Sequence, residues 1–117
     1  MGKYILMVQS NAVGGQDDAF NDWYDNVHLG EVLGVPGFTA AQRFRVKGDP
    51  VAGESGHRYL AIYELETDDP QAALDALGAA VRSGEINMTD TINTEDVSAV
   101  LFEPIGDRVV GAVAPLG

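Results

Sequence analysis

The sequence contains no cysteine and only two histidines, His28 and His57, and these absences exclude several kinds of site. Without cysteine the chain has no disulfide, no thiolate nucleophile and no thiolate-bound metal. Neither histidine belongs to a ligand motif such as His-Glu-x-x-His, and Gly14-Gly15 lacks the remaining residues of a phosphate-binding loop. No Gly-x-Ser-x-Gly elbow occurs. The sequence therefore predicts no metal site and no cofactor.

Long apolar runs and basic residues are also scarce. No run approaches the roughly 20 apolar residues that a membrane helix requires, and no signal-peptide pattern is present. Seven basic residues stand against eighteen acidic ones, and the net charge of −11 repels the phosphates of nucleic acids and of anionic lipids. We therefore expect a soluble, cytoplasmic protein that binds neither nucleic acid nor membrane.

The chain has the length and apolar content of a single domain spanning 1–117, with 45% hydrophobic residues. Period-two alternation and β-prone composition predict four strands, at Lys3–Ser10, Phe38–Lys47, His57–Glu66 and Ser98–Ile105. Helical spacing of apolar residues predicts two helices. The first runs from a cap at Asp17 or Asp18 to about Leu33, and the second starts at Pro70 after an aspartate cap and stops at Gly84.

The element order β-α-β-β-α-β is typical of a ferredoxin-like α+β fold, a four-stranded antiparallel sheet with both helices on one face. Both faces of the sheet are apolar, since the first strand alternates Leu6 with Ile5 and Met7, and the third alternates Tyr63 with Ile62. Two helices cannot cover both faces of such a sheet. We therefore predict a homodimer in which the two sheets pack face to face.

Several segments resemble the EthD-like branch of the dimeric α/β-barrel superfamily. They are Phe20–Leu29 (FNDWYDNVHL), Val35–Phe38 (VPGF), Arg43-Phe44 and the tail Glu103–Val109. The resemblance implies a ferredoxin-like monomer whose sheet joins its partner's to form a barrel, with a small-molecule pocket between helices and sheet. Relatives include cofactor-free polyketide cyclases, isomerases, decarboxylases, quinol-forming monooxygenases and haem enzymes. Many of these relatives carry proline where this sequence has Gly30.

His28 and Glu31 are the first candidate catalytic residues. On a helical wheel that starts at Phe20, His28 lies at the edge of the apolar face and Glu31 lies inside it. A buried imidazole held by a carboxylate serves as a general base near neutral pH, so a His28–Glu31 pair is suited to proton abstraction. The structural alternative is that His28 caps the turn at Gly34–Pro36 or donates to a backbone carbonyl. The spacing alone leaves both interpretations open.

Three tyrosines are candidates for donating to a substrate oxygen. Tyr24 lies one turn before His28 and is the candidate catalytic phenol, while Tyr59 and Tyr63 share one face of the third strand and are candidates for binding substrate. The alternative for each of them is an amphipathic core position.

Trp23 and Arg43 complete the candidate binding residues. Trp23 is a pocket wall or a packing residue. Arg43 lies in the polar set of its strand with Arg45 and Lys47, and that set forms either a solvated edge or part of an anion site.

These residues favour a cofactor-independent lyase, isomerase or cyclase that acts on a small aromatic or polyketide-like carbonyl compound by proton transfer at His28. The alternatives are a non-catalytic dimer that binds a small apolar ligand or haem, and a haem or quinol-type monooxygenase of the same superfamily. Because the fold hosts many reactions, the structure around the candidate residues must decide between them.

Overall fold

The computed structural model describes residues 1–54 and 56–112, and the remaining residues of the predicted domain lie outside this part. In the described part the strands are β1 (Gly2–Ser10), β2 (Phe38–Arg45), β3 (Tyr59–Thr67) and β4 (Ser98–Phe102). The helices are α1 (Asp17–Trp23), a π-helical segment (Tyr24–His28), α2 (Leu29–Leu33) and α3 (Pro70–Ser83). All strand pairs are antiparallel and the sheet order is β2-β3-β1-β4, which confirms the predicted ferredoxin-like α+β fold.

Helix α3 begins and ends as its sequence predicts. The Asp69 carboxylate accepts a hydrogen bond from the N–H of Ala72 at 3.0 Å, and Pro70 occupies the first helical position, where no N–H is needed. Gly84 ends the helix with φ of +85°, a left-handed conformation that suits glycine. The local signals at both ends of α3 are therefore sufficient to define it.

Helix α1 lacks the predicted aspartate cap. Gln16 stands at the cap position and makes no side-chain cap hydrogen bond. The Asp17 carboxylate instead accepts a hydrogen bond of 2.6 Å from the Tyr59 hydroxyl of β3. A contact between helix and sheet thus replaces the local cap that the sequence predicts.

The fourth strand is shorter than predicted. Phe102, opposite Ile5, is the last residue of β4 that pairs with β1. Pro104 follows two residues later and has no backbone N–H to donate, so the predicted extension to Ile105 does not form. Strand β3 also begins at Tyr59 rather than at His57, and β2 ends at Arg45 rather than at Lys47.

The two faces of the sheet have different environments. The helix-covered face carries buried residues of β1 and β3 that pack on Phe20 and Val32 of the helices: Leu6, Tyr59, Ala61, Tyr63 and Leu65. The opposite face carries Ile5, Met7, Phe44, Leu60, Ile62, Val100 and Phe102. We call this second set the open face. Phe44, Val100 and Phe102 remain 43%, 45% and 46% exposed, so the apolar side chains of the open face are partly uncovered. The same side of the sheet also carries polar residues, among them Gln9, Gln42 and Glu64.

A shift in register within β2 changes which of its side chains face the helices. Between Phe38 and Ala40 the pairing with β3 slips by one residue. After this irregularity Arg43 lies opposite the buried Ala61, on the helix-covered face, while Phe44 lies on the open face. An uninterrupted period of two over this strand predicts Phe38 and Phe44 on the same face of the sheet. That prediction is wrong, because the irregularity places them on opposite faces.

Candidate functional site

The first helix contains one π-helical turn, and this turn positions His28. The N–H of Leu29 bonds to the carbonyl oxygen of Tyr24, five residues earlier. Such turns insert one extra residue into the helix and occur frequently at functional sites. The helical wheel drawn from the sequence assumes regular α-helix throughout, so it misplaces the residues that follow Tyr24.

Aromatic rings fill the space between this helix and the sheet. Phe20 lies 5.4 Å from Tyr24 and 5.2 Å from Tyr59 between ring centroids, and Trp23 lies 5.1 Å from Tyr24. All four rings are buried. Such pairs each contribute roughly 0.5–1.5 kcal/mol beyond the burial of their area, so the cluster holds its side chains in fixed positions.

The His28 imidazole contacts two rings of this aromatic cluster, those of Trp23 and Tyr24. Its imidazole stacks on the Trp23 indole at 4.4 Å with an interplanar angle of 26°, and it meets the Tyr24 ring edge-on at 5.0 Å. Its Nδ1 atom is buried and has no hydrogen-bond partner. Burial lowers the pKa of His28 to about 4, against an opposing effect of the nearby Glu31 charge. The imidazole is therefore neutral at pH 7, and it is a weaker base than the sequence predicts.

The turn after α2 does not depend on His28. Backbone bonds close it, from the N–H of Gly34 to Glu31 and from the N–H of Val35 to Val32. Within the part of the chain that the structure describes, no hydrogen bond runs from the His28 side chain to this turn. The bracing role that the sequence left open thus has no support in the hydrogen bonds.

Glu31 contacts a loop rather than His28. Its Oε1 and Oε2 accept hydrogen bonds of 3.0 Å from the backbone N–H and the side-chain amide of Asn87. The carbonyl oxygen of Asn87 in turn accepts a bond of 3.0 Å from the Trp23 indole N–H. In place of the predicted His28–Glu31 pair, these three hydrogen bonds connect Asn87 to the helix beside His28. We call them the Asn87 clasp. Asn87 lies in a polar stretch without periodicity, so no pattern in the sequence marks it.

Arg43 is buried among the same aromatic rings. Only 11% of its side chain is exposed, and its guanidinium carbon lies 4.4 Å from the centroid of the Tyr24 ring. Nη1 and Nη2 donate hydrogen bonds of 2.8 Å to Asp25 and Asn21, whereas Nε is buried without a partner. Desolvated cation–π contacts of this kind are worth about 2 kcal/mol. Arg43 is thus part of the cluster and does not belong to a solvated edge.

The two candidate tyrosines of β3 differ in how their hydroxyls are used. The Tyr59 hydroxyl donates to Asp17 at 2.6 Å and accepts from the Asn21 amide at 3.4 Å. The Tyr63 side chain is 2% exposed, and no partner with good geometry satisfies its hydroxyl. Tyr59 therefore braces the helix on the sheet, while the Tyr63 hydroxyl adjoins the Tyr24 phenol without forming a hydrogen bond of good geometry.

Both Tyr24 and Tyr63 remain protonated at ordinary pH. Burial raises the pKa of Tyr63, and the neighbouring Tyr24 phenol raises it further. Burial also raises the pKa of Tyr24, with smaller opposing effects from Tyr63 and from Arg43. Each phenol is therefore a hydrogen-bond donor and not a base.

Solvent reaches this cluster from the outer edge of β2. A cleft of about 350 Å³ is lined by Asn21, Asp25, Arg43, Phe44, Arg45 and Tyr59. A larger cleft of about 770 Å³ lies elsewhere, between the Gly14-Gly15 loop and His57-Arg58.

Among the described residues no three His, Asp or Glu side chains are grouped closely enough to hold a metal ion, and no described helix is long and apolar enough to cross a membrane.

No protein-family model matches the chain, and no curated protein matches its sequence. Solved structures nevertheless share its fold. An EthD family protein from Bacillus halodurans C-125 is 18% identical, matches 90% of this chain and 100% of its own, and has a TM-score of 0.60. The heme-degrader MhuD from Mycobacterium tuberculosis, with two hemes bound in its active site, is 20% identical over 91% of this chain and 99% of its own, with a TM-score of 0.61.

A dabb family protein with a ferredoxin-like fold, from Mesorhizobium loti MAFF303099, is 14% identical over 91% of this chain and 100% of its own, with a TM-score of 0.56. These identities establish the fold alone. The chain thus has the fold of EthD family proteins and their ferredoxin-like relatives, as its sequence resemblance implies. The reaction must be inferred from the residues of the cluster.

Proposed function

We propose that the chain is a cofactor-independent enzyme of the lyase, isomerase or cyclase type. One observation carries the proposal: the partly buried, neutral imidazole of His28 has a buried, unpartnered Nδ1 and lies beside the protonated phenol of Tyr24. A neutral imidazole accepts a proton, and phenols stabilise negative charge that develops on an oxygen. The substrate class is a small aromatic or polyketide-like carbonyl compound, which the aromatic walls suit.

In the proposed mechanism His28 removes a proton from the carbon next to a substrate carbonyl. Tyr24 donates a hydrogen bond to the oxygen of the enolate that forms, and the Arg43 charge beside Tyr24 stabilises that enolate. Trp23 orients the imidazole by stacking on it. Glu31 has an indirect role, because its hydrogen bond to Asn87 holds that residue against Trp23. Return of the proton from His28 to another carbon of the enolate gives isomerisation. Attack of the enolate carbon on a second carbonyl of the same substrate, followed by protonation of the new alkoxide by His28, gives cyclisation, and cleavage of the bond to a leaving group that takes the electron pair and the proton gives elimination.

Proton transfer can be tested without knowledge of the natural substrate. Aryl ketones and β-keto esters are incubated with the protein in D₂O, and exchange of their α-hydrogens is followed by NMR. The proposal expects at least one compound to exchange faster with the protein than with buffer. A panel on which the protein never exceeds the buffer rate contradicts the proposed function.

We also propose that a second copy of the chain covers the open face. Ile5 and Met7 of β1 and Ile62 of β3 form the middle of this face, and all three side chains remain partly exposed. A group of exposed apolar side chains bordered by polar residues, as here, is typical of an interface. Two copies related by a two-fold axis bury the same face on each side, so the sheets pack against one another.

A second candidate function is haem or apolar-ligand binding, with or without monooxygenase activity. The heme-degrader MhuD shares the fold and favours this candidate. The histidines of this chain fit a haem ligand poorly, because Nδ1 of His28 is buried under stacked rings and Nε2 of His57 lies 3.0 Å from Asp96.

Reconstitution with hemin distinguishes this second candidate from the first. We expect no sharp, stoichiometric Soret band, since Nδ1 of His28 is buried and Nε2 of His57 lies 3.0 Å from Asp96. A saturable Soret band that is lost in His28→Gln would favour the haem-binding candidate over the proton-transfer enzyme.

A further inference from the structure

We propose that Arg43 and Tyr63 together form a subsite for an anionic oxygen, so that the ligand of this site is a carboxylate or an enolate attached to an apolar body. The inference depends on the proposed function only for the location of the site. It adds a substrate class, because an acid rather than a neutral ketone becomes the preferred ligand.

The first line of evidence is a set of unsatisfied buried atoms. Nε of Arg43, the hydroxyl of Tyr63 and Nδ1 of His28 are buried without hydrogen-bond partners. All three side chains surround Tyr24, through ring contacts with Arg43 and His28 and through the adjoining phenol of Tyr63. Buried polar groups are nearly always satisfied in native proteins, so unsatisfied atoms grouped in one place indicate a missing partner.

The second line of evidence is the chemistry of these atoms. The Arg43 Nε–H is a charged donor, and the Tyr63 hydroxyl is a protonated donor. Ala41, two residues before Arg43 on β2, pairs with Tyr63 on β3, so Arg43 and Tyr63 are diagonal neighbours on the helix-covered face. The charge of Arg43 accordingly lowers the pKa of both Tyr24 and Tyr63, against the larger effect of burial. Two donors and a positive charge match an oxygen anion, which accepts both hydrogen bonds.

The charge of Arg43 is only partly compensated on its outer side. Its Nη1 pairs with Asp25, whose side chain is 57% exposed and therefore well hydrated. The guanidinium carbon lies 5.5 Å, 4.4 Å and 5.5 Å from the ring centroids of Phe20, Tyr24 and Tyr59, and Nε is buried without a partner. An anion bound at Nε would complete the neutralisation of Arg43 in a region of low dielectric.

The surrounding walls define the rest of the ligand. Phe38 lies 6.2 Å from Tyr63 between ring centroids and almost perpendicular to it, and Tyr24 covers the guanidinium. Because the subsite is surrounded by aromatic rings, we infer that its ligand carries a flat apolar body. Benzoate is therefore a suitable probe, and benzamide is its neutral counterpart of nearly the same shape.

The test compares benzoate with benzamide by isothermal titration calorimetry on the wild-type protein, on Tyr63→Phe and on Tyr4→Phe. Tyr4→Phe is a matched control, because it removes a hydroxyl from the same face of the sheet at a distance from the cluster. We expect wild-type protein to bind benzoate more tightly than benzamide. Tyr63→Phe should weaken benzoate binding by roughly 10–100-fold, the usual effect of losing a hydrogen bond to a charged group, while Tyr4→Phe leaves it unchanged.

Thermal unfolding of the same variants separates binding from structure. An unsatisfied hydroxyl contributes nothing to the fold, so Tyr63→Phe should keep or raise the midpoint of unfolding. Equal affinities for benzoate and benzamide, or no measurable binding of benzoate, would overturn the subsite. A lower unfolding midpoint with unchanged benzoate affinity would overturn it as well, because the hydroxyl would then be structural.

The subsite and the proposed function fail in different ways. If benzoate binding follows Tyr63 but the protein never accelerates proton exchange, the subsite stands and the proposed enzyme activity fails. If exchange is accelerated while benzoate and benzamide bind alike, the activity stands and the subsite fails. His28→Gln should retain most of the benzoate affinity, since it leaves both donors of the subsite in place.

Discussion

Replacement of His28 by glutamine is expected to slow α-hydrogen exchange by roughly 10²–10⁴-fold, the usual contribution of a general base. The assay uses the aryl ketone or keto ester that the wild-type protein exchanges fastest. Glutamine keeps much of the size and the hydrogen-bonding capacity of the imidazole but cannot accept the proton. Because His28 makes no hydrogen bond to the turn after α2, thermal stability should change little.

A structural role for His28 would give the reverse result. The variant would then lose about 1–3 kcal/mol of unfolding free energy, the usual cost of leaving a buried partner unsatisfied, and its activity would fall only as far as the fold is disturbed. Full activity in His28→Gln would contradict the mechanism and direct attention to the tyrosines. Glu31→Gln is the companion variant, and it should reduce exchange less than His28→Gln because it weakens the Asn87 clasp without removing the base.

Substitution of Ile5 by aspartate is expected to dissociate the proposed dimer. The structure places Ile5 on the open face, whereas the adjacent Leu6 is 5% exposed and belongs to the monomer core. A two-fold interface would receive the new charge from each copy, and an unpaired buried charge costs roughly 3–5 kcal/mol. Light scattering at micromolar concentration should therefore show twice the monomer mass for the wild-type protein and the monomer mass for Ile5→Asp.

Ala79→Asp is the matched control for this experiment. Ala79 is exposed on helix α3, so the same charge is added to the surface away from the open face. This variant should remain dimeric. A wild-type protein that runs as a monomer, or an Ile5→Asp variant that stays dimeric with a normal fold, would show that the open face is not the interface.

Features defined by local chemistry were predictable from the sequence. Asp69, Pro70 and Gly84 fix both ends of α3 through groups within a few residues of one another. The alternation of Leu6 with Ile5 identifies the two faces of β1, because the side-chain period of a strand is two. The fold follows from such signals, which explains why the element order and the sheet were predicted correctly.

The geometry of the site depends on features that leave no local signal. The π-helical turn at Tyr24–His28 accompanies an edge-on contact between the Tyr24 and His28 rings, and a regular helical wheel does not represent such a turn. The slip in β2 moves Arg43 under the helix, although its sequence neighbours place it in a polar set. Asn87 reaches Glu31 from a position 56 residues away. The sequence therefore identified the cluster's residues but not the contacts among them.

The central claim is that His28 is partly buried and neutral among aromatic rings, and an NMR titration of its imidazole tests this claim most directly. With only two histidines in the chain, the His28 signal is identified by its loss in His28→Gln. The pKa should be about 4, against an ordinary value of 6.5. His28 therefore binds a proton more readily in the unfolded chain than in the folded chain. The contribution of neutral His28 to the free energy of unfolding is complete above pH 6.5 and is lost as the pH falls from 6.5 toward 4. A titration midpoint near 6.5 would contradict the account, because it would place the imidazole in water and leave the cluster without its base.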